Sequence, residues 1–384
     1  MKVVFAGGGS GGHFYPIIAV AESLRGICRE RRLLTPKLYY LAPSAFDQES
    51  LFENEITYIA CPAGKWRRYF SIQNFTDIFV SLAGFITALT TLFRIYPDVV
   101  FSKGGYASVP VVLAARMIGI PVFIHESDSK PGRANILASS FAYRIAVTFE
   151  STAEFFPQKV RSKIARTGIP VRSALMHPET EGAKQELGLD ESVPTLFILG
   201  GSLGAERIND VVISALPELV TFANIIHQTG KANFKIVSST AKLVLEKSEY
   251  ASRYHAFPFL NTLSMRRAAG TADLIISRAG MTTISEIALW KKPAVLIPIP
   301  ESISHDQRTN AYAYAKTGAG EVLEEANLTS HMLIAEAKRI LSDSALRASM
   351  SERSALFANT KAGDIIAEEL IAIGLSHESV NPVA

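Results

Sequence analysis

The sequence predicts an α/β protein of two Rossmann-like domains whose parallel sheets face each other across a cleft. Three observations carry that expectation. Apolar runs of strand length alternate with helix-compatible stretches along the chain, the pattern of parallel sheets covered by helices on both faces. A programme of strand, glycine turn and helix opens the chain at "VVFAGGGSGGHFYP" (Val3–Pro16) and restarts at "TLFILGGSLGAERIND" (Thr195–Asp210). The chain's 384 residues also exceed the span of one usual core, so two domains are the default.

In the first half, strands are expected at Val3–Ala6, Leu38–Leu41, Thr57–Ala60, Val99–Ser102, Val122–His125 and Arg144–Val147. Each precedes a turn and helix-compatible sequence. "ARTGIPVRS" (Ala165–Ser173) breaks the pattern with Gly168 and Pro170 and reads as a linker. The first domain is therefore expected at 1–168 and the second at 169–349. After the second glycine turn, strands are expected at Ile225–Gln228, His255–Pro258, Leu274–Ser277 and Ala294–Pro298. Helical sequence runs from Ser330 to Ile373, and a helix at about 350–374 is expected to pack back on the first domain. Residues 375–384 read as a flexible tail.

A formal charge of +3 argues against a polyanion-coating surface and hence against nucleic acid as a partner. Cys28 and Cys61 are the only cysteines and lie outside any metal-ligand spacing, which fits a reduced compartment. Lys2 leads straight into the first strand with no basic leader and cleavage site, so a cytoplasmic protein is expected. "IFVSLAGFITALTTLF" (Ile78–Phe93) carries no charge. It is shorter than the roughly 20 residues of a membrane span, and Asp77 and Arg94 close it off. A helix lying partly under a sheet and partly against a membrane accounts for it.

Gly7, Gly9 and Gly12 satisfy the dinucleotide pattern G-x-G-x-x-G. That reading also needs an acidic residue at the end of the second strand to bind a ribose diol. Here the strand ends "YYLAPSAF", with no Asp or Glu before Asp47, so a nicotinamide cofactor is disfavoured. The physics of the turn survives: glycines admit a ligand close to the backbone, and the helix N-terminus behind them favours anionic or polarised oxygen. His13 stands where the turn enters its helix, at the carboxyl end of the sheet, and is a candidate base.

"DLIISRAGMTTISEIALWKKPAVLIPIP" (Asp273–Pro300) reads as strand, glycine turn, helix and strand. Two readings of Glu286 remain open. Thr283 and Glu286 form a T-x-x-E capping box; equally, a carboxylate there accepts bonds from a ribose diol while backbone amides hold a diphosphate. In "SISHDQRTNAYAYAKTGAG" (Ser302–Gly320), His305, Asp306, Gln307, Arg308 and Asn310 crowd a loop and first helical turn. Amide side chains there suit sugar hydroxyls, because each offers a donor and an acceptor; an ordinary capping cluster is the alternative. "SKGGYASVP" (Ser102–Pro110) and "HESDSKPGRAN" (His125–Asn135) follow the fourth and fifth strands, and His125 with Glu126 resembles a catalytic pair. No D-x-D and no His/Cys cluster occurs, so no metal and no cofactor are expected. Leaving-group charge then falls to helix dipoles, amides and Arg172.

Taken in order, these segments resemble the MurG family, glycosyltransferase family 28. Its members transfer N-acetylglucosamine from UDP-N-acetylglucosamine to a lipid-linked muramoyl-pentapeptide. "GGGSGGHFYP", "GGYASVP", "HESDSKPGRAN", "GIPVR", "GGSLGA", "SRAGMTTISE" and "HDQRTNA" carry the likeness over nearly the whole chain. It implies the GT-B fold, no metal, inverting transfer to the 4-hydroxyl of the acceptor and a place on the cytoplasmic face of the membrane. By position, it implies that Ser202 and the amides after Gly201 hold the diphosphate with Arg172 nearby. Leu260 and Met281, Thr282, Thr283 and Ile284 would enclose the uracil, Glu286 the ribose, and Gln307 the sugar hydroxyls. Ser10, Gly11, Gly12 and His13 would face the reacting sugars, with His13 the base and Glu126 second choice. Three departures bear on the acceptor. Ser127 and Asp128 follow His125–Glu126 where the family reads Gln and Asn, which costs an amide donor at a substrate-contacting position. Ile169 stands for asparagine and Leu203 for glutamine. "GKWRRYFSIQNFTDIFVSLAGF" (Gly64–Phe85) mixes Lys65, Arg67 and Arg68 with aromatics, suited to an anionic membrane surface; a helix packed wholly on the sheet is the alternative. Another lipid glycosyltransferase and a UDP-N-acetylglucosamine 2-epimerase share the expected scaffold.

Overall fold

The computed structural model describes residues 1–65, 72–200, 205–300 and 305–376, with the backbone alone at 72–74 and 305–306. The chain forms two compact units: Met1–Arg172 with Asn359–Ala384, and Ser173–Ala358.

The first unit holds a seven-stranded parallel sheet. Its strands are β1 (Lys2–Ala6), β2 (Lys37–Ala42), β3 (Ile56–Ala60), β4 (Val99–Ser102), β5 (Val122–Glu126), β6 (Arg144–Val147) and β7 (Ile164–Arg166), in the order β3-β2-β1-β4-β5-β6-β7. Alternate side chains of a strand reach opposite faces, and β1 feeds two cores in this way. Val3 and Phe5 pack with Phe14, Ile17 and Leu24 of the helix Gly11–Glu30 and with Ile366 and Leu370 of the helix Ala362–Leu375. Val4 and Ala6 pack with Ala88 and Leu92 of the helix Ile72–Ile95 and Val111 and Val112 of the helix Val109–Met117. The chain's last described helix thus completes the first unit's core.

Strand β7 departs from expectation. Ala165 and Arg166 pair with Ala146 and Val147 of β6, so the stretch read as linker starts with an edge strand. Three residues, two of them exposed, carry no apolar run to announce themselves.

The second unit holds β8 (Thr195–Leu199), β9 (Asn224–Gln228), β10 (Tyr254–Phe257), β11 (Leu274–Ser277), β12 (Ala294–Leu296) and β13 (Gly320–Val322), all parallel, in the order β10-β9-β8-β11-β12-β13. β13, "GEV", was not anticipated, again being three residues with one buried. The helices Glu206–Phe222 and Ser330–Ser342 cover one face through Ile208, Val212, Leu216 and Leu219 and through Leu333, Ala337 and Ile340. His227 on β9 is buried among this packing without strain: one ring nitrogen meets Asn209 Oδ1 and the other the Tyr254 hydroxyl, each at 3.0 Å. Burial holds it neutral, its pKa pushed down to about 3.

The helix Ile72–Ile95 presents apolar residues on two opposite sides. Gly84, Ala88 and Leu92, four residues apart, are buried, and the Cys61 thiol lies 3.4 Å from the Gly84 carbonyl. Phe75, Phe79, Leu82, Ile86 and Phe93 are exposed on the far side. By length and composition Phe75–Ile95 would suffice to cross a membrane, with a mean hydropathy of 1.8. Its inner face, however, is built into the first unit's core. Gly84 sets that docking, because a Cβ there would overlap the carbonyl oxygen of Pro62. Gly84→Ala should therefore destabilise the first unit by about 1–3 kcal/mol, the usual cost of overpacking. Urea unfolding followed by circular dichroism measures it, and a neutral outcome would mean that the helix shifts freely over the sheet.

Candidate functional site

Open parallel sheets bind ligands outside the carboxyl ends of their strands, where the strand order reverses. That point lies between β1 and β4 in the first sheet and between β8 and β11 in the second. The glycine-rich turn after β1 stands at the first, and the turn Arg278–Gly280 after β11 at the second.

In the first unit, β1 ends at Ala6 and the helix Gly11–Glu30 starts five residues later. Gly9 has φ 90, and a Cβ on it would lie 2.9 Å from the Tyr106 ring; only glycine fits both constraints. The buried Tyr40 hydroxyl donates to the Gly7 carbonyl at 2.7 Å and fixes the turn from below. Ser10 is the N-cap residue, yet its hydroxyl does not cap the helix. It lies 2.9 Å from His13 Nδ1. The other side of the ring faces the turn after β4, where a Cβ on Gly105 would be 3.3 Å from Nε2. Burial first, and the charge of Lys103 second, push the His13 pKa down to about 4, so its imidazole is neutral near pH 7.

His125 and Glu126, expected as a catalytic pair, end β5 and are both buried. His125 Nε2 lies 2.8 Å from the Gly168 carbonyl, so it donates there, and Nδ1 is left to meet Lys103 Nζ at 2.6 Å. The Glu126 carboxylate accepts the Asp128 N–H at 2.9 Å, the Gly132 N–H at 3.0 Å and Asn135 Nδ2 at 2.8 Å. Burial raises its pKa while these three bonds pull the other way. Glu126 therefore folds the loop that bears Ser127 and Asp128 back toward the helix Arg133–Ser139. Lys103 was missed by sequence reasoning. Its signal was a charged residue placed directly after β4, all of whose residues are buried, at the point of strand reversal. Arg172 stacks over Tyr15 at 3.9 Å from the ring centroid, with Nε buried and without a hydrogen-bond partner among the described residues, and Ile169 is buried.

In the second unit, the turn after β11 leads to the helix Met281–Leu289, whose N-cap is Gly280. This corrects the capping-box reading. Thr283 sits inside the helix as its third residue, and no side chain caps the N-terminus. A box would need Thr283 at the N-cap position. Met281 and Ile284 are buried under the turn, whereas Thr282, Thr283 and Glu286 share the half-buried side, as spacings of three and four dictate. Arg278 donates to the Ile297 carbonyl at 3.3 Å and pairs with Glu325, tying this turn to the loop after β12. In that loop the Ile299 N–H donates to Gln307 Oε1 at 3.2 Å, which leaves the Gln307 amide its NH₂ donors. Leu260 is buried, its N–H donating to Gln228 Oε1 at 3.1 Å. Ser202 and Leu203 lie outside the described residues.

Residues 3–147 match the N-terminal domain model of glycosyltransferase family 28, and residues 195–368 match the C-terminal domain model. A protein of Treponema denticola is 39% identical over 336 residues, covering 84% of this chain and 83% of its own length. It is described as a UDP-N-acetylglucosamine–N-acetylmuramyl-(pentapeptide) pyrophosphoryl-undecaprenol N-acetylglucosamine transferase. The crystal structure of Acinetobacter baumannii MurG superposes with a TM-score of 0.70 at 25% identity, covering 96% of this chain and 99% of that one. A UDP-GlcNAc 2-epimerase of Neisseria meningitidis, solved with UDP-GlcNAc, reaches 0.67 at 16% identity over 97% of this chain and 100% of its own; that likeness concerns the fold alone. Two sheets with the GT-B topology, a glycine turn at the first reversal point and domain matches over both halves converge on one assignment: the chain belongs to glycosyltransferase family 28.

Proposed function

We propose that this chain transfers N-acetylglucosamine from UDP-N-acetylglucosamine to the 4-hydroxyl of undecaprenyl-pyrophosphoryl-N-acetylmuramoyl-pentapeptide, a step of peptidoglycan synthesis. The observation that carries the reading is the 39% identity to a transferase of that description across both halves of the chain. A single displacement at the anomeric carbon inverts it, from the α donor to a β linkage. Incubating labelled donor with and without the lipid-linked acceptor tests the function. Acceptor-independent change of the donor sugar would overturn it in favour of an epimerase.

Each unit supplies one part of the chemistry. In the first, the Ser10 hydroxyl accepts from His13 Nδ1–H and so leaves the lone pair on Nε2, the side toward Gly105. Nε2 takes the proton of the attacking hydroxyl. A base held neutral is ready to accept, and the negative charge of a diphosphate-bearing acceptor raises its proton affinity. Glu126 works here as the residue that shapes the acceptor loop, since three N–H groups already occupy its carboxylate. In the second unit, the amides at the start of Met281–Leu289 and the residues around Ser202 take the diphosphate. Glu286 accepts from the ribose hydroxyls, Leu260 borders the uracil, and the Gln307 NH₂ donates to the sugar. Charge on departing UDP is then met by fixed dipoles. The exposed side of Phe75–Ile95, with Lys65 just before it in sequence, rests on the anionic cytoplasmic leaflet that holds the acceptor lipid. Arg67 and Arg68, which would add to that charge, lie outside the described residues.

His13→Ala should lower turnover by about 10²–10⁴, the usual worth of general acid–base catalysis, with UDP affinity unchanged. Saturating acceptor is needed, because a role in holding that substrate would appear only in its apparent affinity. Near-normal turnover would remove His13 from the mechanism.

Glu286→Ala should weaken UDP binding by about 1.5–3 kcal/mol, the worth of hydrogen bonds to a charged group. Calorimetry on the folded variant reads this directly. An unchanged affinity would leave Glu286 no part in the donor site.

Phe79, Leu82 and Ile86 are 59%, 55% and 54% exposed. Their combined change to Asn should cut co-sedimentation with anionic vesicles about tenfold or more, each lost side chain removing about 1.5–3 kcal/mol of potential burial. Binding by the wild type should also weaken with salt. Equal sedimentation of variant and wild type would refute the membrane role.

A further inference from the structure

Five of the described residues other than glycine have a positive φ. Arg32, Glu55, Tyr96 and Lys291 stand within two residues of the end of a helix, where the left-handed conformation closes the last turn. Phe46, at φ 58, is the exception: it lies in the loop after β2, just before the helix Gln48–Glu53. A bulky side chain adopts this conformation at a cost, and such strain collects at functional positions. Asp47 holds the loop in place, its carboxylate accepting the Ser50 N–H at 3.1 Å and the Ser50 hydroxyl at 2.8 Å.

The strained backbone delivers the ring to the glycine turn. The Phe46 ring centroid lies 5.1 Å from that of Phe14 and 5.9 Å from that of Tyr15. A Cβ on Gly11, the first residue of the helix, would be 3.5 Å from Phe46 Cζ. The side chain is nevertheless 40% exposed. Packing on Phe14 and Tyr15 uses only part of it, and the rest stands open beside the helix start.

Position decides what covers it. β2 lies on one side of β1 and β4 on the other. The His13 ring turns to the β4 side, toward Gly105, whereas Phe46 comes from the β2 side. A helix with its side chains is about 10–12 Å across, wider than one sugar ring, so the sugar whose hydroxyl meets His13 does not also cover Phe46. Two arms of the acceptor extend beyond that sugar. The lipid arm leads to the helix Ile72–Ile95, which packs on the opposite face of the sheet from Phe14. Its diphosphate is a poor partner for the negative face of an aromatic ring that has Asp47 next to it in sequence. The peptide arm remains. Amide planes and small side chains lie well on an aromatic face, and N–H groups point favourably into it.

We propose that Phe46 is a specificity-determining residue that contacts the peptide arm of the acceptor. The inference rests on the transferase function proposed above for the identity of the acceptor.

Two fluorescent short-chain acceptors test it: the muramoyl-pentapeptide diphosphate lipid, and the same lipid-linked sugar without its peptide. Their dissociation constants are measured on wild type, Phe46→Gly and Phe46→Tyr. Phe46→Gly removes the ring and suits the left-handed backbone; urea unfolding checks that the variant is folded. It should weaken binding of the pentapeptide acceptor about 3–10-fold, the range of an aromatic contact. Binding of the peptide-free acceptor and of UDP should not change. Phe46→Tyr keeps the ring and should match wild type with both acceptors. Equal losses for the two acceptors, or wild-type binding of the pentapeptide acceptor by Phe46→Gly, would overturn the contact. If Phe46→Gly does not fold, Phe46→Leu decides by the same comparison, because it keeps apolar bulk and loses the aromatic face. Wild type that neither binds the pentapeptide acceptor nor transfers sugar to it refutes the proposed function and this inference together. An active enzyme whose pentapeptide binding ignores Phe46 refutes the inference alone.

Discussion

Parallel pairing constrains everything in this molecule. A strand can join a parallel neighbour only through a crossover that returns the chain to the sheet's starting edge. Every strand-to-helix turn of a unit therefore collects at the same end, and every helix that follows points its N-terminus toward that end. Chemistry accumulates there for that reason. The reversal of strand order opens a gap between two such turns, β1 against β4 and β8 against β11, and the glycines let backbone line it.

Within the first unit the gap is furnished by groups that control each other's charge. His13 and His125 are neutral because they are buried and because Lys103 is near. Glu126 is buried but fully engaged with N–H donors, so it organises its loop and its charge is spent locally. The second unit works with backbone instead: an uncapped helix start after Gly280, and turns tied together by Arg278 and Gln307. The contrast matches the division of labour in the proposed reaction. Moving a proton needs titratable side chains; holding a nucleotide diphosphate needs oriented amides.

Much of this was legible in the sequence, for identifiable reasons. Buried parallel strands are continuous apolar runs, so "VVFA", "VVFS" and "LIIS" could be read almost to the residue. The three-residue edge strands β7 and β13 could not, because their only signature is pairing with a neighbour. Turns rich in glycine could be put at the carboxyl ends, and the segment containing His13 stands there. Of the two readings of Glu286, the capping box falls because T-x-x-E is a local pattern, whereas the helix begins at Met281, with Met281 and Ile284 buried. The Glu126 network was invisible: Gly132 and Asn135 are six and nine residues further on, and only the fold brings their donors onto one carboxylate. Lys103 was hidden in plain view. Lysine is ordinarily a surface residue, and its place directly after the β4 run was the one local sign that this one is buried.

The helix Ala362–Leu375 lies on Gly11–Glu30, close enough that a Cβ on Gly363 would be 2.6 Å from the Ser23 hydroxyl. Ile366, Ala367, Leu370, Ile371 and Ile373 belong to the same core as β1. On the ribosome this imposes an order of events. The opening half of the chain emerges with one wall of its hydrophobic centre missing and waits while the 186 residues of Ser173–Ala358 are translated. During that interval the exposed flank of Gly11–Glu30 is an invitation to chaperones or to misassociation. The second unit can mature first, and the first closes only after Ala362–Leu375 has followed it from the ribosome.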